Sequence, residues 1–403
     1  MPDNGLPPMA FAIPSVKEAL QLLRRIRHRS SICTVAIWLL RLGILIAVLA
    51  SMAQRPVYVL IGPQQVVETQ HPILCVHTRL TDEVEEWKIQ RTLQMVREMG
   101  ATTIVEFFPW AYIERSAGHY DWTHSDQVIH HARAQGLTII ARLGMVPVWA
   151  QPRRDDNQAN LTLNYLTPEH FADFARFVEA FTARYRDQVG AVIIWNEPNL
   201  AFEWGFQPVD PSRYVHLLQV ATPAARRGNP NVTVLAGALA PTLEPLGSPH
   251  GLNEPDYLTA LYEAGFKGSF DALAVHTYGF RYPPDDPPAP DRLNFRRLEL
   301  LRAIMVAYGD ADKPIIVTES GWNDHPRWAN AVRPSQRITY TIRALEYAEK
   351  NWPYVQHVCL WAFRYPSLTY SYPDYFTLVG PDFTPKPIYT ELQNWARGYP
   401  TTP

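Results

Sequence analysis

This chain of 403 residues is poor in cysteine and in net charge, and it lacks every compact motif that marks a bound metal or nucleotide. Its three cysteines, Cys33, Cys75 and Cys359, have no metal-ligand spacing and are too few for a disulfide framework. Lys and Arg number 37 against 39 Asp and Glu, and no basic stripe interleaves with aromatic residues. A formal net charge of −2 gives no field for a polyanion, so nucleic acid is not an expected partner. No HExxH, calcium loop or Gly-rich phosphate turn occurs, and the expectation is an activity without metal or other cofactor. An internal repeat and a second globular segment are also missing. What is plentiful is apolar material: 47% hydrophobic residues against 19% charged supply a sizeable core. Twelve Trp and 20 Tyr suit stacking against sugars as well as the filling of cores.

The long apolar run lies near the amino terminus. From Ser31 to Ala53 the chain reads SICTVAIWLLRLGILIAVLASMA, the length a helix needs to cross a bilayer, interrupted by Arg41. Arg24, Arg25, Arg27 and Arg29 precede it, a bias that holds the preceding segment in the cytoplasm and places everything downstream outside. The expected organisation is a basic cytoplasmic leader over 1–30, a transmembrane or signal-anchor helix over 31–53, a linker over 54–69 and a catalytic domain over 70–403. The bilayer is then a partner through that helix. Ser51 and Ala53 also fit a small-x-small cleavage site, which leaves secretion after cleavage near Ala53 open.

Downstream, apolar strand-like runs alternate with longer helical patterns, eight pairs in all, as in a single (β/α)₈ TIM barrel. The expected strands are Ile73–Leu80, Thr103–Phe108, Leu137–Leu143, Ala191–Asn196, Val232–Ala238, Ala272–Thr277, Ile315–Thr318 and Val358–Phe363. Their unbroken Val, Ile, Leu and Ala runs are those of parallel strands covered on both faces. Helical stretches such as Glu86–Met99, Phe171–Asp187, Tyr214–Arg227 and Gln336–Lys350 lie between them, and Arg281 to Arg292 is a Pro-rich rim loop. Cys75 and Cys359 fall on the first and last strands, which a closed barrel makes neighbours. Buried free thiols are the favoured reading, with a bridge open to them in an oxidising compartment.

Two strand ends carry the chemistry. VIIWNEPN, Val192 to Asn199, is an apolar strand that stops where Pro198 cannot continue the ladder, which leaves Glu197 at its carboxyl end. KPIIVTESGW, Lys313 to Trp322, does the same with Glu319 on the seventh strand. Two opposed carboxyls are what glycosidic cleavage needs: one protonates the leaving oxygen, while the other attacks the anomeric carbon or activates water.

With WNEPNL (Trp195 to Leu200) and VTESGW (Val317 to Trp322), the chain resembles the retaining glycoside hydrolases whose catalytic Glu residues end strands four and seven. Family 39 and related family 5 enzymes are the most similar, over roughly Ile73 to Trp395. The resemblance implies double displacement on a cell-surface or extracellular poly- or oligosaccharide, with Glu197 as acid/base, Glu319 as nucleophile and Asn196 bonding the sugar 2-hydroxyl. It also implies that His276 and Tyr278 in AVHTYG hold the nucleophile and the sugar, and that Trp361 in CLWAFRY floors the subsite nearest the nucleophile. Trp110, Trp149, Trp204 and Trp322 follow strands and are candidates to line the groove, of which Trp110 and Trp322 join the expected substrate-binding set. His77, Arg79 and Arg142 compete for a supporting place at the ends of strands one to three, where the family commonly has an Arg or His. Two alternatives stay open: a non-catalytic glycan-binding or membrane-complex accessory protein on the same barrel, and an inverting hydrolase.

Overall fold

The structure is a computed structural model, and it describes residues 16–52, 64–65, 67–152 and 162–399. The chain divides into two compact units, Met1–Gly62 and Pro63–Pro403. Helix α1, Val16–Met52, is the described part of the first and runs for 37 residues. It begins inside the stretch that the sequence assigns to the leader. Its window Thr34–Ser51 has a mean hydropathy of 2.2 with no residue buried, enough by length and composition to cross a membrane. Arg41 lies over the Trp38 ring at 5.6 Å, one residue in that window with a local partner for its charge. Ala53 and most of the expected linker lie outside the described residues.

The second unit is a closed barrel of eight parallel strands in sequence order. They are β1 (Leu74–His77), β2 (Thr103–Pro109), β3 (Thr138–Gly144), β4 (Ala191–Ile194), β5 (Thr233–Leu239), β6 (Ala272–Tyr278), β7 (Ile315–Gly321) and β8 (Val355–Leu360). Every expected strand is there. The helices packed around them include α2 (Glu86–Glu98), a single turn α3 (Trp110–Ile113), α4 (Thr123–Ala134), α5 (Phe171–Arg184) and α6 (Pro211–Gly228). Then follow α7 (Glu254–Glu263), α8 (Leu298–Ala307), α9 (Pro334–Asn351) and α10 (Pro387–Ala396). Residues 279–294, including the Pro-rich segment, form an irregular loop held by Asn294, Asp286 and Arg292.

Strand alternation explains why these runs are apolar throughout. Cys75, Val105, Ile140, Ile193, Leu235, Ala274, Ile316 and Cys359 fill the barrel lumen as one buried cluster. Their neighbours Val76, Ile104, Ile139, Val192, Val234, Val275, Val317 and Val358 face outward into the shell beneath the helices. The register pairs Cys75 directly with Cys359, both on the lumen face, and the two sulfurs are bonded. This corrects the expectation of free thiols: the barrel closure that makes the strands neighbours also brings these two side chains onto one level.

Candidate active site

The carboxyl ends of the strands surround a cavity of about 720 Å³ lined by side chains from all around the barrel. Glu197 reaches it because β4 ends at Ile194, two residues earlier than expected, and the chain then turns sharply with positive φ at Trp195 (77°) and Glu197 (41°). Left-handed backbone is uncommon for residues with a Cβ and is maintained here by surrounding bonds, among them Glu197 N–H to the Ala238 carbonyl at 2.9 Å. Glu319 reaches the same space by another device. Simple alternation after Ile316 in the lumen would send Thr318 inward and Glu319 outward. Register shifts between Val275 and His276 on β6, and between Val317 and Ser320 on β7, reset the alternation. His276 and Tyr278, two residues apart, share one face of β6.

The two carboxylates meet through these groups. One oxygen of Glu197, one of Glu319 and a ring nitrogen of His276 lie within 4.8 Å of one another. Nδ1 of His276 is 2.6 Å from Glu197 Oε1 and 3.6 Å from Glu319 Oε2. The Tyr278 hydroxyl donates to Glu319 Oε2 at 2.7 Å, and Arg142 Nη1 donates to Glu319 Oε1 at 3.2 Å and to Asn196 Oδ1 at 3.0 Å. Of the three candidates at the ends of strands one to three, Arg142 bonds both Glu319 and Asn196, His77 lies 3.5 Å from Glu319, and Arg79 bonds Asp82. The Arg142 guanidinium also lies over Phe107 at 4.5 Å.

The environments of the titratable groups differ. Burial works to raise the Glu319 carboxyl, but the His276 and Arg142 charges and the Tyr278 hydroxyl outweigh it, and the group sits below its ordinary value. Burial opposes charging of His276, yet Glu319 and Glu197 together hold its ring above the usual value. Tyr278, buried beside Glu319, is held well above 10 and stays a donor. His77 goes the other way: burial, aided by the nearby Arg142 and Arg79 charges, depresses it to about 3, so its ring is neutral at Nε2, 3.5 Å from Glu319 Oε1. Its Nδ1 donates to the Thr78 carbonyl at 2.7 Å. Arg79 lines the cavity but is engaged by Asp82 at 2.8 Å and the Tyr365 ring.

Of the expected substrate-binding residues, Asn196, Tyr278 and Trp361 line the cavity, and His276 stands behind the carboxylates. Trp110 and Trp322 do not line it, which corrects their placement. Trp110 is fully buried, donates to the Glu114 carboxylate at 2.5 Å and packs against Trp149, Phe174 and Phe177. Trp322 donates to the Tyr282 carbonyl at 2.8 Å and packs on Phe295, over Gly279, where a Cβ would overlap its indole. Trp149 and Trp204 are likewise absent from the lining: the one donates to the Glu114 carbonyl, the other is buried against Trp195.

Sequence reasoning missed Glu203, in a single 3-10 turn (Phe202–Trp204) after Glu197. It accepts from Asn164 at 3.1 Å and faces Asn196 and Glu197. Burial first, then the Glu197 charge, pushes its carboxyl up to about 7. Also missed were Tyr112, Phe280, Trp328, Tyr372 and Phe376, all cavity-lining. Most belong to irregular loops, where no periodicity says which way a ring points.

No family model and no curated protein matches the chain. Among solved structures it is similar to a family 39 glycoside hydrolase from the gut symbiont Bacteroides cellulosilyticus WH2, with a TM-score of 0.66 and 20% identity over 83% of this chain and 65% of that one. The chain thus spans just under two thirds of that relative's length. A family 39 enzyme from Xanthomonas axonopodis pv. citri gives a TM-score of 0.60 at 16% identity, over 82% of this chain and 67% of that chain. A subfamily 18 member of family 5 from Bifidobacterium longum subsp. longum ATCC 55813, solved with Manβ1-4GlcNAc, gives 0.60 at 14% identity, over 83% of this chain and 80% of that chain. What is common to them and this chain is the fold, a (β/α)₈ barrel of the kind glycoside hydrolases use.

Proposed function

We propose that the chain is a retaining O-glycoside hydrolase, with Glu319 as nucleophile and Glu197 as acid/base. The observation that carries this reading is the approach of the two carboxylates, with oxygens within 4.8 Å. Retaining enzymes hold their carboxyls about 5–5.5 Å apart for direct attack, whereas inverting ones leave about 6.5–9.5 Å for an intervening water. The surroundings support the division of roles. Glu319, kept ionised by His276, Arg142 and Tyr278, attacks the anomeric carbon, and Glu197 gives its proton to the departing glycosidic oxygen. His276 Nδ1, 2.6 Å from Glu197 Oε1, holds that carboxyl in place beside the leaving oxygen. In the second step Glu197 takes a proton from water, whose oxygen attacks the anomeric carbon and breaks its bond to Glu319. Asn196, oriented by Arg142, bonds the sugar 2-hydroxyl, and Trp361 supplies the floor beneath that ring.

The same reading places the barrel outside a membrane, anchored by α1 and acting on glycans near the cell surface. The apolar span Thr34–Ser51, the preceding Arg24 and Arg25, and a lumenal disulfide of a type that persists in oxidising compartments support this placement. Trapping tests the chemistry: fluorosugar or cyclophellitol-type reagents across sugar configurations should add one mass adduct to the peptide bearing Glu319. Turnover of a glycoside with the adduct mapped to another residue would remove the assignment.

A further inference from the structure

The aromatic side chains of the cavity are arranged in a sequence that one sugar does not explain. Phe376, buried at 5% exposure, lies with its ring 5.2 Å from Trp361 and 5.4 Å from Tyr278. Next outward comes Trp328, whose ring is 6.4 Å from Phe376, 6.2 Å from Phe280 and 5.8 Å from Tyr372. Tyr372, at the end of this series, is 52% exposed and still lines the cavity. The wall therefore starts at the tyrosine bonded to Glu319 and continues to solvent.

Three loops contribute to it, those after β6, β7 and β8, and polar contacts fix the last two to each other. Buried Asn323 donates to the Tyr372 carbonyl at 2.8 Å while accepting from His325 N–H at 2.8 Å. Asp374 accepts from the Thr369 and Tyr370 backbone N–H groups at 2.9 Å each. Such support holds the rings in place before a ligand arrives, so less ordering entropy opposes binding. Exposed aromatic rings kept in this way on a rigid loop are suited to a ligand with flat apolar faces and polar edges, which describes a pyranose.

The chemistry of the site gives the wall its direction. In double displacement the sugar that is attacked rests on the nucleophile, and the leaving part departs on the side of the acid. A wall continuous with Glu319, Tyr278 and Trp361 therefore serves sugars that precede the attacked one. Phe202, 47% exposed and five residues after Glu197, lines the same cavity. Resting on the glycosidase reading, we propose that Trp328 and Tyr372 form a stacking subsite for the next sugar of a chain, and that the substrate is a polysaccharide cut at internal bonds. The cavity agrees in size, since about 720 Å³ falls in the range of roughly 300–1,000 Å³ that encloses a drug-sized ligand, larger than one pyranose.

The test uses the full chain in detergent and xylo-, gluco- and manno-oligosaccharides from the monosaccharide to the pentasaccharide. Binding is measured by calorimetry in E319Q, and products are followed for the unsubstituted chain. Affinity should rise from monosaccharide to trisaccharide in at least one series. W328A in the E319Q background should reduce that gain about tenfold, Y372A should reduce it in the same direction, and W328F should restore part of it. Pentasaccharide products should begin as oligosaccharides. Affinity independent of length throughout the panel, or an equal gain in W328A and Y372A, overturns the subsite, as does release of single sugars only. Length-dependent binding lost in W328A without any hydrolysis would instead keep the subsite and sink the hydrolase reading.

Discussion

At the scale of single residues, Glu203 separates what helps the fold from what the cavity demands. In the unfolded chain it ionises near 4.5, and in the barrel burial and the neighbouring Glu197 raise this to about 7. Between these two values the folded state retains a proton that the unfolded state has lost, so stability falls as pH rises through that window and stays reduced above it. At about 1.4 kcal/mol per tenfold change in proton affinity, the deficit is on the order of 3 kcal/mol. Replacing Glu203 by Gln keeps an acceptor for Asn164 and removes the charge. E203Q should therefore melt higher than the unsubstituted chain at pH 8, by an amount that shrinks towards zero at pH 4. Melting curves separated equally at both pH values would show that ionisation of Glu203 is not what destabilises the native state. A sequence cannot announce such a group, since Glu203 becomes unusual only because the turn after Asn199 brings it back beside Glu197.

At the scale of elements, the eight strands and the two strand ends that carry Glu197 and Glu319 are legible because composition and position agree: continuous apolar runs, each ending in a polar cluster, with Pro198 and Gly321 as stops. Residues that depend on a single backbone turn or a register shift are less so. Glu319 faces the cavity through bulges that no local pattern reveals, and Trp110 and Trp322, though they follow strands as groove residues do, fold back into the core where Glu114 and the Tyr282 carbonyl take their indole N–H groups. Cys75 and Cys359 are the same case across a seam. Their positions on β1 and β8 are readable, but only the register sets the sulfurs opposite each other. The bridge joins residues 284 apart, and constraining so long an unfolded loop contributes about 2–5 kcal/mol. Reduction, or the C75A/C359A pair, should lower the thermal midpoint of the barrel while leaving its far-ultraviolet dichroism unchanged at room temperature. An unaltered midpoint after complete reduction, verified by thiol counting, would mean that the seam draws its stability from the ladder and lumen packing alone.

At the scale of the molecule, the two units make different demands on their surroundings. The barrel carries its own core: one buried cluster fills the lumen and a second lies between strands and helices, both formed from residues after position 63. The window Thr34–Ser51 has none of its residues buried, and an uncovered apolar helix of this length is stable in lipid and a liability in water. With both core clusters drawn from residues after position 63, the barrel is expected to fold without α1. Removing residues 1–53 should give a monodisperse soluble domain that retains the kcat/KM of the full chain in detergent on a small aryl glycoside, because every residue proposed for the chemistry lies downstream. Made with an export signal in place of α1, it should carry the Cys75–Cys359 bond; made in a reducing cytoplasm it should not, and the difference in melting between the two preparations should match that produced by reductant. Fractionation completes the test. The full chain should pellet with membranes, resist extraction by salt or alkali and yield to detergent, and protease added to intact cells should reach the barrel. A full chain recovered in the cytosol, or a truncated one that aggregates with its site inactive, would overturn the anchored placement, since the apolar helix would then be shown to cover protein rather than lipid.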